Sequence, residues 1–153
     1  SSAAVANAAQ VKASSSAVVP EPSGIPPEGD IRRMIGVWRI EKTSDNFDAY
    51  MVAVGVNYFY RKLASNLKHE LHVVEDQGRW TITAKSTFKN VIMKFRLGEE
   101  FEETRGDGRK LRAIVTDVGG KMVHRQKAAG LHGEDSIITR ELDASGNHLT
   151  IWV

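Results

Sequence analysis

From Glu70 onward the chain is a series of short alternating segments, parted by turn signals at near-even spacing. Leu71-His72-Val73-Val74 precedes a turn at Asp76-Gln77-Gly78, and Trp80-Thr81-Ile82-Thr83-Ala84 follows it. Val91 to Leu97 ends at Gly98, and the short acidic stretch Glu100 to Thr104 closes at Gly106-Asp107-Gly108. Leu111 to Thr116 leads into Gly119-Gly120, a strong hairpin signal. Lys121 to Ala128, Ile137 to Leu142 and Leu149 to Val153 complete the series. Such a pattern predicts an antiparallel sandwich or barrel, and its short hairpin links favour up-and-down order.

One of these segments carries a charge on its apolar side. Residues two apart in a strand share a face, so Ile138, Arg140 and Leu142 point one way. Thr139 and Glu141 point the other way, toward water. A cation on the dry face is costly unless something pairs with it. An interior acid or an anionic guest in a cavity can both supply that partner, and the segment alone does not choose between them.

Length and composition narrow the classes. At 153 residues the chain suits one domain, and its 41% hydrophobic and 26% charged content is that of an ordinary globular protein. A formal charge of +2 from 21 basic and 19 acidic residues does not point to nucleic acid, which wants a clustered basic face. No apolar run approaches the ~18 residues of a membrane helix. Without cysteine there is neither a disulfide nor a thiolate metal site. Residues 1–30 hold all four prolines, are rich in Ala and Ser and lack aromatics. They bury too little apolar surface to offset their ordering entropy and are expected to be a disordered tail, a linker or the remnant of a targeting peptide. Residues 31–153 are expected to form the folded domain.

That domain opens with Met34 to Ile40 as a first strand. Ser44, Asp45 and Asn46 offer caps for a short helix from Phe47 to Val54, stopped by Gly55. A second helix runs roughly from Asn57 to Ser65, with Phe59 and Leu63 on one stripe. Neither is long enough to stand alone in water, so both must lie on something apolar. Two helices inserted after a first strand could serve as a lid on a barrel mouth.

At this point the residues resemble the intracellular lipid-binding proteins, a family that includes fatty-acid-binding proteins and cellular retinoid-binding proteins. The likeness runs from Met34 to Val153. Its carriers are Gly36-x-Trp38, Asn46-Phe47-Asp48-x-Tyr50-Met51, Val54-Gly55-Val56-Asn57 with Arg61-Lys62, and Ser86-Thr87-Phe88-Lys89-Asn90. Leu97 to Glu103, Asp107-x-Arg109-Lys110 and Thr139-Arg140-Glu141-Leu142 continue it in order. The resemblance implies a mainly β, up-and-down antiparallel barrel of lipocalin-like type with a helix-turn-helix lid. It also implies non-covalent binding and intracellular transport of a long-chain fatty acid or related hydrophobic carboxylate, without catalysis, cofactor or metal. Retinoic acid or another retinoid is the alternative ligand. Matching positions imply contacts from Phe47, Tyr50, Met51 and Val56 in the helical portal and from Phe88 opposite them. They imply Arg109 and Gln126 as pocket-lining polar residues, and Arg140 as an interior arginine for the carboxylate. The expected setting is cytoplasmic, with the nucleus as a second compartment, and transient membrane contact through the lid.

Two departures from the family pattern stand out. Between Trp38 and Phe47 the chain is one residue longer than is usual. After Leu149 to Val153 the family's last strand, with its Arg-x-Tyr pair, is absent. The barrel is therefore expected to be incomplete at its C-terminal strand, with an unpaired edge that invites self-pairing in an otherwise monomeric protein. The Ala/Ser tail is poor material for a replacement strand. A truncated, non-binding fragment is thus a second reading.

Blander roles stand beside several of these. Phe47, Tyr50 and Met51 can simply pack a helix down, and Arg109 can be a solvated arginine at a strand start. Arg61 and Lys62 can complement a helix dipole. His69 and His72 straddle a strand start, and His124, His132 and His148 are scattered, so no metal site is expected. The run Glu99-Glu100 with Glu102-Glu103 reads as a solvated strand edge.

Overall fold

The computed structural model describes residues 10–15, 26–66, 68–128 and 133–153; the rest of the expected tail, and His132, lie outside the described residues. Among the described residues ten strands form one antiparallel sheet: β1 (Gln10–Ser15), β2 (Gly36–Thr43), β3 (Glu70–Asp76), β4 (Arg79–Lys85), β5 (Val91–Arg96), β6 (Phe101–Thr104), β7 (Lys110–Val118), β8 (Lys121–Gln126), β9 (Ser136–Leu142) and β10 (His148–Trp152). Two helices, α1 (Phe47–Ala53) and α2 (Tyr58–Asn66), follow β2. The hydrogen-bonded order is β5-β4-β3-β2-β1-β10-β9-β8-β7-β6, an up-and-down sheet rolled upon itself.

The alternation read in the sequence sets the two faces. Trp80 and Ile82 on β4, Met93 and Phe95 on β5, Leu111, Ala113 and Val115 on β7, and Met122 on β8 are buried, with exposed or half-buried residues between them. One end of the roll is packed solid by Trp38, Val73, Trp80, Ile82, Met93, Val115, Met122 and Leu149. A 3-10 turn (Ile31–Met34) plugs that end with Ile31 and Met34. Met34 was expected in the first strand. Instead the Asp30 carboxylate accepts from the Arg32 N–H at 2.8 Å and folds the preceding residues into the turn. The Met34 carbonyl then accepts from the Trp38 indole N–H at 2.8 Å.

The tail expectation fails at Gln10–Ser15, which form β1 between β2 and β10. Val11 stands opposite Ile151 and Thr43, and Ala13 opposite Leu149 and Ile40, with an irregularity toward β2 between Lys12 and Ala13. Context overrides propensity here. Each neighbour presents a row of backbone donors and acceptors, and a segment laid between them satisfies both rows and its own. The outer edge of β10, expected to be open, is paired.

The edges of the sheet are β5 and β6, which no ladder joins among the described residues. The seam between them is filled by side chains, with the Phe95 and Phe101 rings stacked at 5.6 Å. At the hairpin after β7, a Cβ on Gly120 would collide with the Gly29 carbonyl, whereas one on Gly119 would meet open space. Both glycines have positive φ. Gly119→Ala is therefore expected to cost about 1 kcal/mol, and Gly120→Ala to cost about 1–3 kcal/mol more, by urea denaturation.

Candidate functional site

The inner face of β6, β8 and β9 carries a polar cluster. Arg140 is 9% exposed and His124 is 1% exposed, and both project inward from neighbouring strands. His124 Nε2 lies 2.7 Å from Glu103 Oε2. The Gln126 amide donates to both Glu103 oxygens, at 3.0 and 3.1 Å. Arg140 Nη1 donates to His124 Nδ1 at 3.4 Å, and Arg140 Nε is buried with no hydrogen-bond partner among the described residues. The Phe101 ring stacks against His124 at 6.3 Å.

This geometry assigns the protons. A guanidinium only donates, so the ring nitrogen facing it must be the acceptor. His124 is then neutral, with its proton on Nε2 and directed at Glu103. Burial lowers the His124 pKa, and the Arg140 charge adds to this against the opposing pull of Glu103. Burial by itself would raise the Glu103 carboxyl, but the bonds from His124 and Gln126 and the Arg140 charge hold it below its ordinary value. Burial also works against the Arg140 charge, yet an arginine keeps its proton in proteins. This cluster thus holds one carboxylate, one guanidinium and a neutral imidazole between them.

The cluster has a consequence for folding. A histidine held neutral contributes stability above its ordinary pKa of 6.5 and withdraws it as pH falls toward the lowered folded value. Glu103 withdraws its share in turn as pH falls below 4.5 toward its own lowered value. Urea midpoints are expected to fall steadily once the pH drops below 6.5. A midpoint that stays flat down to about pH 5 is the contrary result.

The other end of the roll lies under the lid. A cavity of about 170 Å³ opens there, lined by Met51, Val56, Tyr60, Leu63, Phe88, Val91 and other residues, among them His69, Lys89, Arg105 and Asp107. Helix α1 ends at Ala53 with Val54 as its C-cap, followed by Gly55 at φ 81° in the expected left-handed conformation. It is pinned at three points. The Tyr50 and Ser136 hydroxyls are 2.7 Å apart, the Ala53 carbonyl accepts from the Glu134 N–H at 3.0 Å, and the Val54 carbonyl accepts from Arg105 Nη1 at 2.6 Å. Arg105 is itself held by both Asp107 oxygens, at 2.7 and 2.6 Å. Helix α2 buries no residue and is tied to α1 through Arg61, which reaches Asp48 and the Val56 carbonyl.

The expected site residues separate into two groups. Arg140 and Gln126 share the interior cluster, whereas Met51, Val56 and Phe88 line the portal cavity. Phe47 and Tyr50, both on α1, stack on each other at 6.1 Å. Arg109 serves the β6–β7 turn through its backbone, accepting from the Arg105 N–H at 2.8 Å, and the cavity is lined by Arg105 instead. Glu103, His124 and Arg105 went unrecognised in the sequence. Glu103 was assigned to a solvated edge, but its two-residue spacing from Phe101 places it on the inner face. Arg105-Gly106-Asp107-Gly108 carries the signal for the bidentate pair, an acid two residues after an arginine in a glycine-flanked turn.

Comparison with known proteins agrees with this architecture. The model of the "Lipocalin / cytosolic fatty-acid binding protein family" matches residues 35–149. Fatty acid-binding protein homolog 6 of Caenorhabditis elegans is 40% identical over 73% of this chain and 82% of its own length. A fatty acid-binding protein of Tyrophagus putrescentiae is 42% identical over 77% and 87%. Among solved structures, apo lipid binding protein 8 of Caenorhabditis elegans superposes with a TM-score of 0.72 at 27% identity, covering 83% of this chain and 99% of that one. The REP1-NXSQ fatty acid transporter gives 0.67 at 32%, covering 78% and 93%. The chain belongs to the lipocalin/cytosolic fatty-acid binding protein family.

Proposed function

We propose that this protein binds a long-chain fatty acid, or a related hydrophobic carboxylate, non-covalently inside the rolled sheet and carries it through the cytosol. The observation that bears most weight is Arg140, a buried cation with an unsatisfied Nε and, among the described residues, no acid within hydrogen-bond reach. A carboxylate laid against it supplies the missing acceptor in a charge-assisted bond. The acyl chain runs from there to the portal, where Met51, Val56 and Phe88 give it apolar walls. Burial of the chain contributes about 25 cal/mol per Å² before association costs. The cavity of about 170 Å³ is small beside typical ligand pockets of ~300–1,000 Å³. Binding therefore includes outward movement of α2, the helix with the fewest ties to the sheet. Retinoic acid meets the same requirement, and relatives bearing the fatty-acid name favour the acyl chain.

A titration of the full chain with a fluorescent fatty acid, alongside a size measurement, tests the reading. One site per monomer is the expected result; aggregation without uptake withdraws it. The exposed rings of Tyr58, Phe59 and Phe88, with Lys62 and Lys89 beside them, support transient contact with an anionic membrane. Transfer of the lipid to vesicles is expected to quicken with their anionic content and to slow about tenfold or less in Phe59→Ala.

A further inference from the structure

The interior cluster is balanced before any ligand arrives, with Glu103 offsetting Arg140 while His124 stays neutral between them. An ionised carboxylate brought to Arg140 adds a second anion to this closed space. A buried unbalanced charge is costly, and the cheapest remedy is a group at hand that can take a proton. His124 is that group. Its Nδ1 carries a lone pair, lies 3.4 Å from Arg140 Nη1 and so sits beside the place where the carboxylate binds.

We infer that binding of a carboxylate at Arg140 draws one proton from water onto the Glu103–His124 pair, so that the site takes up a fatty-acid anion together with a proton. The inference rests on the carrier reading above. The balance is simple. One anion and one proton leave solution, Nδ1 gains an N–H and gives up the hydrogen bond it accepted from Arg140 Nη1, the ligand carboxylate becomes the acceptor for both groups, and no covalent bond in the lipid changes. The new N–H can donate to the ligand oxygen while Nε2–H stays on Glu103. No second acid stands in the way among the described residues. From α1 the neighbouring group is the Tyr50 phenol, kept neutral because burial raises its pKa. From β6 it is Glu103, from β9 Arg140 and the Ser136 hydroxyl, and from β8 the Gln126 amide.

The arrival of the carboxylate also cancels the Arg140 field that disfavours a charged His124, so electroneutrality and local electrostatics act in the same direction. By linkage, uptake of one proton weakens fatty-acid affinity about tenfold for each unit rise in pH between the pKa values of the free and liganded pair. An alcohol of the same chain length brings no charge and carries no such dependence.

Calorimetric titration of the full chain with oleate and with oleyl alcohol, in phosphate and in Tris at one neutral pH, tests this. For oleate the apparent enthalpy is expected to differ between buffers by their ionisation enthalpies times about one proton. For the alcohol it is expected to be equal in both. Oleate binding with no buffer dependence overturns the inference and leaves the carrier reading intact, whereas no binding of oleate at all withdraws both. Glu103→Gln removes the resident counter-charge; it is expected to bind oleate without proton uptake and about tenfold or more tightly. Imidazole-nitrogen NMR of the unmodified chain gives a reading that does not depend on any variant folding. His124 is expected to be the neutral Nε2–H tautomer when free and imidazolium with oleate bound. An unchanged neutral ring, with the proton found on the oleate carboxyl, overturns the assignment.

Discussion

Arg140→Ala is expected to weaken oleate binding about ten- to hundredfold while leaving oleyl alcohol within a few-fold of its original affinity. A charge-assisted hydrogen bond contributes about 1.5–3 kcal/mol, and each 1.4 kcal/mol is about tenfold. The alcohol shares the chain, and hence the apolar burial, but not the anion. Comparing the two ligands therefore separates the head from the tail. Arg140→Lys keeps a point charge but loses the planar fork, and falls between the two. Equal losses for acid and alcohol would show that Arg140 merely supports the wall. Stability sets two effects against each other. The unsatisfied Arg140 Nε costs about 1–3 kcal/mol in the free protein. Arg140→Met removes that cost but leaves the buried Glu103 without its counter-charge, a loss of about 3–5 kcal/mol, so it is expected to lower the urea midpoint while losing the anion preference.

The second large effect lies in the strand that the composition hid. Ala13→Pro removes a backbone donor from a position paired on both sides, with Ile40 of β2 and Leu149 of β10. Proline in the middle of a sheet is confined to edges and bulges, and the loss is expected to be about 3 kcal/mol. Hydrogen exchange should show the amides of β2 and β10 losing protection together. The freed rows on those two strands should then promote self-association on a sizing column. If stability and exchange are both unchanged, β1 does not hold this place in solution.

Most of the fold was legible because it follows from period and punctuation. Leu111, Ala113 and Val115 alternate with residues outside the core, glycines end the segments, and β7 lies where that pattern places it. The inward turn of Arg140 followed from the same parity. The resemblance to known lipid-binding proteins singled out Met51, Val56 and Phe88, which alternation by itself could not do, and the three line one cavity.

What was missed shares one cause, namely partners distant in sequence. Glu103 looks like one acid in a run of acids until His124 and Gln126, 21 and 23 residues away, close upon it. Arg105 finds Val54 across 51 residues. β1 has weak strand propensity and becomes a strand because β2 and β10 leave a slot for it. None of these pairings is written in local periodicity, since each depends on which strands the roll sets side by side.

The unlaced join between β5 and β6 also bears on which guests can be accommodated. In a cylinder laced all the way round, strand number and stagger determine the girth. A split collar is free of that constraint. Here the two lips are held by stacked phenylalanines rather than by amide pairs, so the circumference can widen for a bulkier lipid by sliding ring past ring, with every ladder left whole.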